Sequence, residues 1–193
     1  MNKNKYIELA KKAANIQINE LKKIKAVFNK SFVQAVDLIL NCKGKIVFAG
    51  VGKSGLIARK ISATFSSIGI PSFFCHPSDA LHGDLGQLEK KDILIIFSYS
   101  GNTSELTNML KYANRFKIKI IGIASKAESV LLKASDIKLK LPKVREADLI
   151  GMVPTSSTTI SLLLGDCLAT TIMSQKRFSK DKFKVFHPGG NIG

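Results

Sequence analysis

The sequence alternates short runs of β-forming apolar residues with stretches that are long enough for helices. Five such runs follow residue 44, and the first four are almost continuously apolar. They cover residues 45–49, 72–75, 93–97, 118–123 and 137–141. Strands that alternate with helices pair in parallel through right-handed crossovers, and continuously apolar strands are typical of a sheet covered on both faces. The pattern predicts an α/β fold, a three-layer αβα sandwich around a five-stranded parallel sheet.

The first 41 residues differ from the rest because their apolar residues recur at steps of three and four. This spacing is that of an amphipathic helix, and it predicts a helical arm over residues 1–41 that precedes a main domain over residues 42–193. A break near Asn29 divides the arm, and Ser31 is the predicted N-cap of its second helix. The apolar face needs a partner surface, so we expect the arm to pack on the main domain or on another subunit of a homo-oligomer.

Composition and length exclude several classes of protein. The chain has 193 residues, of which 45% are hydrophobic and 23% charged, as is usual for a globular protein with its own core. No apolar run approaches the ~18 residues of a membrane span, and the N-terminus lacks a secretory pattern, so we expect a cytoplasmic protein with no membrane partner. The cysteines Cys42, Cys75 and Cys167 fit neither a disulfide framework nor a zinc ribbon, and we expect buried, reduced thiols.

The chain is strongly basic. Thirty Lys and Arg against fourteen Asp and Glu give a net charge of +16, which could attract nucleic acid through counterion release. The basic residues are spread along the chain, whereas a protein that reads a DNA groove concentrates arginines on one element. We therefore expect no nucleic-acid partner, and a small anionic substrate would be attracted equally well.

The segment 50–55 reads Gly-Val-Gly-Lys-Ser-Gly and joins a predicted strand to a predicted helix. It formally matches GxGxxG, but no acidic residue closes the next strand to hold a ribose, which disfavours a dinucleotide site. The glycine spacing does not fit a Walker A motif either. What remains is a glycine turn that presents the cation of Lys53 and the hydroxyl of Ser54 at a helix N-terminus.

Two hydroxyl-rich segments, 98–105 and 154–159, also precede predicted helices. The unpaired amides and the dipole at a helix N-terminus favour an anion, so these segments predict a phosphate site. The predicted binding residues are Ser98, Ser100, Gly101, Asn102, Thr103, Ser156 and Ser157. Thr103 could equally be a plain N-cap. Residues 142–154 lack clear periodicity, and a stretch of that length suggests a working loop.

Taken together, these segments closely resemble the arabinose-5-phosphate isomerases of the sugar isomerase, or SIS, domain family. The resemblance runs in register from about residue 45 to residue 193. It rests on the segments 50–55, 76–77 (His-Pro), 82–86 (His-Gly-Asp-Leu-Gly), 98–105, 154–158 (Pro-Thr-Ser-Ser-Thr), 165–166 (Gly-Asp) and 187–190 (His-Pro-Gly-Gly). It implies interconversion of D-ribulose 5-phosphate and D-arabinose 5-phosphate, which supplies the Kdo sugar of lipopolysaccharide, by a homotetramer without a cofactor.

The resemblance also implies four catalytic residues, Lys53, Glu105, Glu146 and His187. Aldose-ketose isomerisation moves a proton between neighbouring carbons through an enediol, and either Glu105 or Glu146 could carry it, with a pKa raised by burial. His187 suits ring opening, and Lys53 suits stabilisation of the enediolate. The residues alone permit plainer interpretations: a first-turn charge for Glu105, a surface pair with Arg145 for Glu146, and a turn at His187.

His76 and His82 lie six residues apart, and two imidazoles fall short of the three or four protein ligands of a usual zinc site. The resemblance implies a metal-independent enzyme that zinc inhibits, so we interpret both as substrate-contacting residues with an incidental zinc site. Tyr99 and Asn102 depart from the asparagine and acidic residue common in the family. Many relatives continue into paired CBS regulatory domains, so we expect a short natural form or a trimmed catalytic part. The alternatives are a non-catalytic phosphosugar-binding regulator and another phosphosugar isomerase.

Overall fold

Five parallel strands form one sheet in the computed structural model, which describes residues 3–189. They are β1 (Ile46–Gly50), β2 (Ser72–Phe74), β3 (Ile93–Phe97), β4 (Lys119–Ala124) and β5 (Ile137–Lys140). Their order is β2-β1-β3-β4-β5, and every neighbouring pair is parallel. The predicted parallel sheet is confirmed, and each predicted strand end lies within one residue of the observed one.

Helices cover both faces of the sheet. Those in residues 3–189 are α1 (Lys3–Leu21), α2 (Lys30–Leu40), α3 (Gly52–Ser67), α4 (Pro77–Ala80), α5 (Thr107–Arg115), α6 (Val130–Ala134), α7 (Ser156–Gln175) and α8 (Lys180–Phe186), with 3-10 turns at Lys22–Val27, Asp84–Gln87 and Ser104–Leu106. Within that range, none of them combines the length and the apolarity that crossing a membrane requires.

The strands are buried on both faces because successive side chains enter opposite layers. Ile46 and Phe48 of β1 belong to a core cluster shared with α2, α3 and α7, whereas Val47 and Ala49 belong to a second cluster shared with α5 and α6. The Phe48 ring meets the Phe65 ring of α3 edge to face, with 5.0 Å between the ring centres. The three-layer sandwich predicted from the continuous apolar runs is therefore confirmed.

The strand order places a cleft beside β1 and β3. The chain proceeds from β1 outward to β2 and then returns past β1 to β3, so the connections after β1 and β3 diverge to opposite sides. Ligands of open parallel sheets bind at the carboxyl edge of such a switch point. The two segments that follow these strands are 50–55 and 98–105, which the sequence analysis selected for their chemistry.

The arm is two helices, with the break where the sequence predicts it. The predicted cap is wrong: Asn29, not Ser31, caps α2, because the Asn29 side chain accepts the Ser31 N–H at 2.9 Å. In α1 no residue is buried, and Thr159 Oγ1 of α7 donates to Gln17 Oε1 at 3.1 Å. Residue 41 as the end of the arm stays a prediction. Residues 190–193 of the proposed main domain, including the last glycine of the His-Pro-Gly-Gly segment, lie outside the described residues.

Burial of the cysteines is only partly as predicted. Cys75 is buried, and burial raises the pKa of its thiol to about 11. Cys42 and Cys167 are partly exposed, so the expectation of buried thiols is wrong for these two. All three thiols are free.

Candidate functional site

A cavity of about 520 Å³ opens at the carboxyl ends of β1 and β3. Its walls come from the turns after these two strands, from the loop 142–154 and from the first turn of α7. It brings together these residues predicted from the sequence: Lys53, Ser54, Ser98, Ser100, Thr103, Glu146 and Ser157. Cavities of a few hundred Å³ with a few convergent polar groups are typical of small-molecule sites.

The glycine turn after β1 brings α3 to the edge of the cavity. A Cβ on Gly50 would lie 2.9 Å from the Phe97 carbonyl oxygen of β3, so only glycine allows this close approach. Val51, the N-cap of α3, makes no side-chain cap hydrogen bond, which leaves the first-turn amides without a side-chain partner. Lys53 and Ser54 in that first turn line the cavity. A cation and uncapped amides there favour an anionic ligand.

The loop after β3 holds its hydroxyls in place by internal hydrogen bonds. Ser98 Oγ lies 2.8 Å from Thr103 Oγ1 and accepts the Gly101 N–H at 3.1 Å. Gly101 has a φ of +70°, and a Cβ there would collide with the Ser129 side chain, so the residue is restricted to glycine. Asn102 turns away, because its Oδ1 accepts the Val130 N–H at the start of α6. Gly101 and Asn102 thus shape the loop from outside the cavity lining.

Glu146 is held at the N-terminus of α7. Its Oε2 accepts the Thr155 N–H at 2.8 Å, the Thr155 hydroxyl at 3.0 Å and the Ser157 N–H at 3.2 Å. The carboxylate therefore occupies the helix end where the sequence analysis expected phosphate. The plainer interpretation, a surface ion pair with Arg145, does not describe these contacts.

These hydrogen bonds set the protonation state of Glu146. Burial raises the pKa of this carboxyl, but the hydrogen bonds from Ser157 and Thr155 together outweigh burial and hold the pKa below the ordinary 4.5. The expectation that burial would raise the pKa of the proton carrier is therefore wrong. A carboxylate bound by several donors favours its charged form, and Glu146 is ionised at neutral pH.

Tyr99 joins the loop after β3 to the loop that carries Glu146. Its hydroxyl donates to the Pro142 carbonyl at 3.2 Å and accepts the Val144 N–H at 2.8 Å. The residue also lines the cavity. Burial raises the pKa of the Tyr99 hydroxyl, and the charge of Glu146 acts in the same direction. Tyr99 therefore lines the cavity and holds the loop 142–154 beside it.

Glu105 lies outside the lining of this cavity and is exposed. It sits in the 3-10 turn Ser104–Leu106, where Ser104 Oγ donates to its Oε2 at 2.8 Å. Its own backbone N–H and the Ser104 hydroxyl hold its pKa below the ordinary 4.5, and the nearby His76 acts in the same direction. A raised pKa is therefore wrong for Glu105 as well, and its catalytic role stays a prediction.

His76 lines a second cavity of about 490 Å³, which shares Lys53 with the first. Its Nδ1 accepts the Ser78 N–H at 3.2 Å and so caps the short helix α4. The Arg59 guanidinium lies over the Phe74 ring in the same cavity, 4.9 Å from its centre. His82 is exposed, and residues 3–189 contain no group of three or more His, Cys, Asp or Glu side chains that could hold a metal ion.

His187 lies at the opposite edge of the sheet from the first cavity. It stacks on Phe183 of α8, and the ring of the adjacent Phe186 lies against Gly69, in the connection before β2. The length of a five-residue strand, about 15 Å, separates the two edges of the sheet. Within one protomer the structure therefore brings Lys53 and Glu146 together but not His187. Ser156 is buried outside the cavity lining, and its Oγ has no partner among the described residues.

Sequence reasoning missed two residues that shape the site, Thr155 and Asp148, and named a third, Tyr99, only as a departure from the family. Thr155 holds Glu146, Tyr99 tethers the loop 142–154, and Asp148 folds its tip by accepting the N–H groups of residues 150, 152 and 153. The Asp148 signal was available, since an aspartate before a glycine within a non-periodic stretch is typical of a side-chain-closed turn. The contacts of Thr155 and Tyr99 span loops, and no local pattern reveals them.

The comparisons with known proteins agree with this fold. The family model for the SIS domain matches residues 39–171. The chain belongs to the SIS domain family. A curated relative from Rickettsia prowazekii, the uncharacterized protein RP505, is 43% identical over 193 residues, which are all of this chain and 60% of that protein.

Two further relatives have informative names. Arabinose 5-phosphate isomerase KdsD of Escherichia coli O157:H7 is 40% identical over 186 residues, or 96% of this chain and 57% of that protein. This SIS-domain chain thus spans less than two thirds of the length of these curated relatives. The solved structure of E. coli CFT073 c3406 in complex with arabinose 5-phosphate has a TM-score of 0.93 and 36% identity, and it covers 97% of this chain and 100% of that one.

Proposed function

We propose that this chain is an aldose-ketose isomerase that interconverts D-ribulose 5-phosphate and D-arabinose 5-phosphate through an enediol. The observation that carries the proposal is the shared cavity of Lys53 and Glu146 at the carboxyl edge of β1 and β3. The name of the E. coli relative and the sugar phosphate of the c3406 complex support the choice of substrate. On this proposal the product supplies the Kdo sugar of lipopolysaccharide.

The phosphate of the substrate would bind at the end of the cavity where hydroxyls and uncapped amides meet. Ser98, Ser100 and Thr103 supply hydroxyls there, and the first turn of α3 supplies amides and a favourable dipole. The N-terminus of α7 is the poorer phosphate site, because Glu146 already accepts its Thr155 and Ser157 amides. The sugar carbons would then extend from the Ser98 loop toward Glu146.

Glu146 would carry the proton. In its ionised form it takes a proton from C1 of the ketose, and the C2 carbonyl oxygen becomes the enediolate oxygen. The proton of the C1 hydroxyl passes to the C2 oxygen, and return of the carbon-bound proton to C2 leaves the aldehyde at C1. Lys53 would stabilise the negative oxygen of the enediolate, since a cation beside a developing charge lowers the barrier. No electron acceptor is needed, because oxidation of one carbon balances reduction of its neighbour.

The proposal includes a homo-oligomer in which His187 reaches the cavity of another protomer. Apolar side chains are exposed together on the arm and on the loop tip, where Leu149 is 87% and Met152 75% exposed. A cleft of about 560 Å³ between them is lined by Leu9, Ile16 and Ile150 among others. An apolar surface of this kind favours association. The tetramer implied by the family resemblance is the proposed state, and the free thiols support a cytoplasmic location.

The test of the reaction is incubation with D-ribulose 5-phosphate and detection of D-arabinose 5-phosphate. A non-catalytic phosphosugar-binding regulator would bind the sugar phosphate and return it unchanged. For the shared site, we expect Glu146→Gln and His187→Ala to be inactive alone and to recover part of the activity when mixed oligomers form. A monomer in sedimentation at working concentration, or no recovery on mixing, contradicts the shared site.

A further inference from the structure

The hydroxyl of Thr155 lies between the Glu146 carboxylate and the loop that carries it. Thr155 Oγ1 donates to Glu146 Oε2 at 3.0 Å and accepts the Ala147 N–H at 2.8 Å. The Thr155 N–H donates to the same Oε2 at 2.8 Å. A hydroxyl has one proton to donate, so donation to Glu146 together with acceptance from Ala147 fixes its direction.

This arrangement differs from an ordinary helix cap. An N-cap threonine normally uses its side-chain oxygen to accept an amide of the first turn. Thr155 is the N-cap of α7 but makes no side-chain cap hydrogen bond, and Glu146 accepts the Ser157 amide instead. The Thr155 hydroxyl therefore serves Glu146 rather than the helix.

We propose that Thr155 is a positioning residue, whose hydroxyl holds the Glu146 carboxylate at the cavity wall in the orientation that proton transfer requires. The inference rests on the proposed function, because that function assigns the proton transfer to Glu146. It also divides the hydroxyl-rich segment 154–159 into two parts. Thr155 holds the carboxylate from outside the cavity lining, whereas Ser157, which also hydrogen-bonds Glu146, and Thr158 line the cavity.

We expect the other ionisable groups around Glu146 to stay in place when the Thr155 hydroxyl is removed. Lys53 of α3 and Tyr99 of the loop after β3 line the same cavity, and Arg145, the preceding residue, lies close to Glu20 of α1. Burial acts on the Glu146 carboxyl in the direction opposite to its hydrogen bonds. Loss of one hydrogen bond therefore raises the pKa of Glu146, and the neighbouring charges remain the same.

The kinetic test compares Thr155→Val, which removes the hydroxyl at nearly constant shape, with Thr155→Ser, which retains it. We expect Thr155→Val to lower kcat about tenfold or more with little change in KM, and to move the acid limb of kcat/KM to higher pH. Thr155→Ser should have the kcat and the acid limb of the parent chain. The matched control is Thr171→Val in the same helix, where the lost hydroxyl only donates to the Cys167 carbonyl and the profile should not move.

A second measurement needs no activity. In protein labelled with carboxyl-¹³C glutamate, the Glu146 signal is identified by its absence in Glu146→Gln, and its pKa is titrated in each variant. A higher pKa in Thr155→Val and not in Thr155→Ser supports the proposal. An unchanged pKa and an unchanged profile in Thr155→Val overturn it. If the parent chain converts no ribulose 5-phosphate, the proposed function fails instead, and the titration reports separately on Thr155.

Discussion

Glu146 and Glu105 are two carboxylates near the same edge of the sheet, and their surroundings differ. Glu146 lines the cavity and is held by amides and a hydroxyl of another element, α7. Glu105 is exposed and is held by its own turn, through Ser104 and its own N–H. Both have a lowered pKa, so the pKa alone does not separate them. Geometry does, because only Glu146 shares the first cavity with Lys53.

The largest expected effect is on Glu146. Glu146→Gln keeps the shape but cannot take a proton, so kcat should fall by about 10³-fold while KM changes little. The same substitution also removes exchange of substrate hydrogen with solvent. Steady-state kinetics with ribulose 5-phosphate and proton NMR in deuterated buffer measure the two effects. Unchanged turnover excludes Glu146 as the proton carrier.

The pH dependence should follow the lowered pKa of Glu146. The base acts in its ionised form, so kcat/KM should be independent of this group at neutral pH and should fall about tenfold per pH unit only below the folded-state pKa, itself below 4.5. The free energy of unfolding should also fall at acid pH. The ionised Glu146 carboxylate makes its whole contribution above the unfolded-state pKa near 4.5, and this contribution is lost as the pH falls through the folded-state pKa. Chemical denaturation of Glu146→Gln at several pH values should show a weaker acid dependence. A Glu146 carboxyl signal that titrates near pH 6 or 7 contradicts this assignment.

Glu105→Gln should have a smaller effect than Glu146→Gln. Its carboxylate is exposed and lies near His76 rather than in the first cavity, so we expect a loss in kcat of about tenfold or less. The two glutamine variants, assayed side by side, rank the two glutamates, which the sequence leaves unranked. If Glu105→Gln lowers kcat as much as Glu146→Gln does, the position of a glutamate in the first cavity does not separate the two roles.

Tyr99→Phe should act through the loop 142–154. The variant keeps the ring and removes the hydroxyl, which leaves the Val144 N–H without its partner and costs about 1 to 2 kcal/mol of unfolding free energy. Because Glu146 follows two residues later, kcat should fall several-fold. Urea denaturation and kinetics measure the two effects. Loss of stability with full activity would show that the tether does not position Glu146.

Ser104→Ala should have the smallest effect. It removes the hydroxyl that donates to Glu105, at an exposed position where such bonds contribute little, so the unfolding free energy should hardly change. Like Thr155→Val, it removes a hydroxyl that donates to a glutamate, but this glutamate is Glu105. A change in the acid limb of kcat/KM with Ser104→Ala would assign that limb to Glu105 instead.

The fold was predictable because its signals are local. An apolar run such as 93–97 is enough to predict a buried strand. The arm has apolar residues at the helical period of 3.6, and the change to alternating strands and helices after it predicts the α/β domain. The missed cap of α2 shows the limit of this reasoning, since Asn29 and Ser31 are both good caps and their order depends on where the 3-10 turn ends.

The candidate site was only partly predictable, because its decisive contacts join residues far apart in sequence. Asn102 looks like a ligand-binding residue of the loop after β3, yet its side-chain oxygen holds Val130, which is 28 residues away. Glu146 looks like a surface charge until Thr155 and Ser157 are placed beside it. The position of His187 at the other edge of the sheet depends on where α8 packs, which no motif encodes.

The most direct test of the proposed mechanism is proton NMR of D-ribulose 5-phosphate with the protein in deuterated buffer. The parent chain should form D-arabinose 5-phosphate and replace substrate hydrogen with deuterium, whereas Glu146→Gln should do neither although it still binds the sugar phosphate. Binding without conversion by the parent chain, or conversion and exchange at the parent rate by Glu146→Gln, would contradict it.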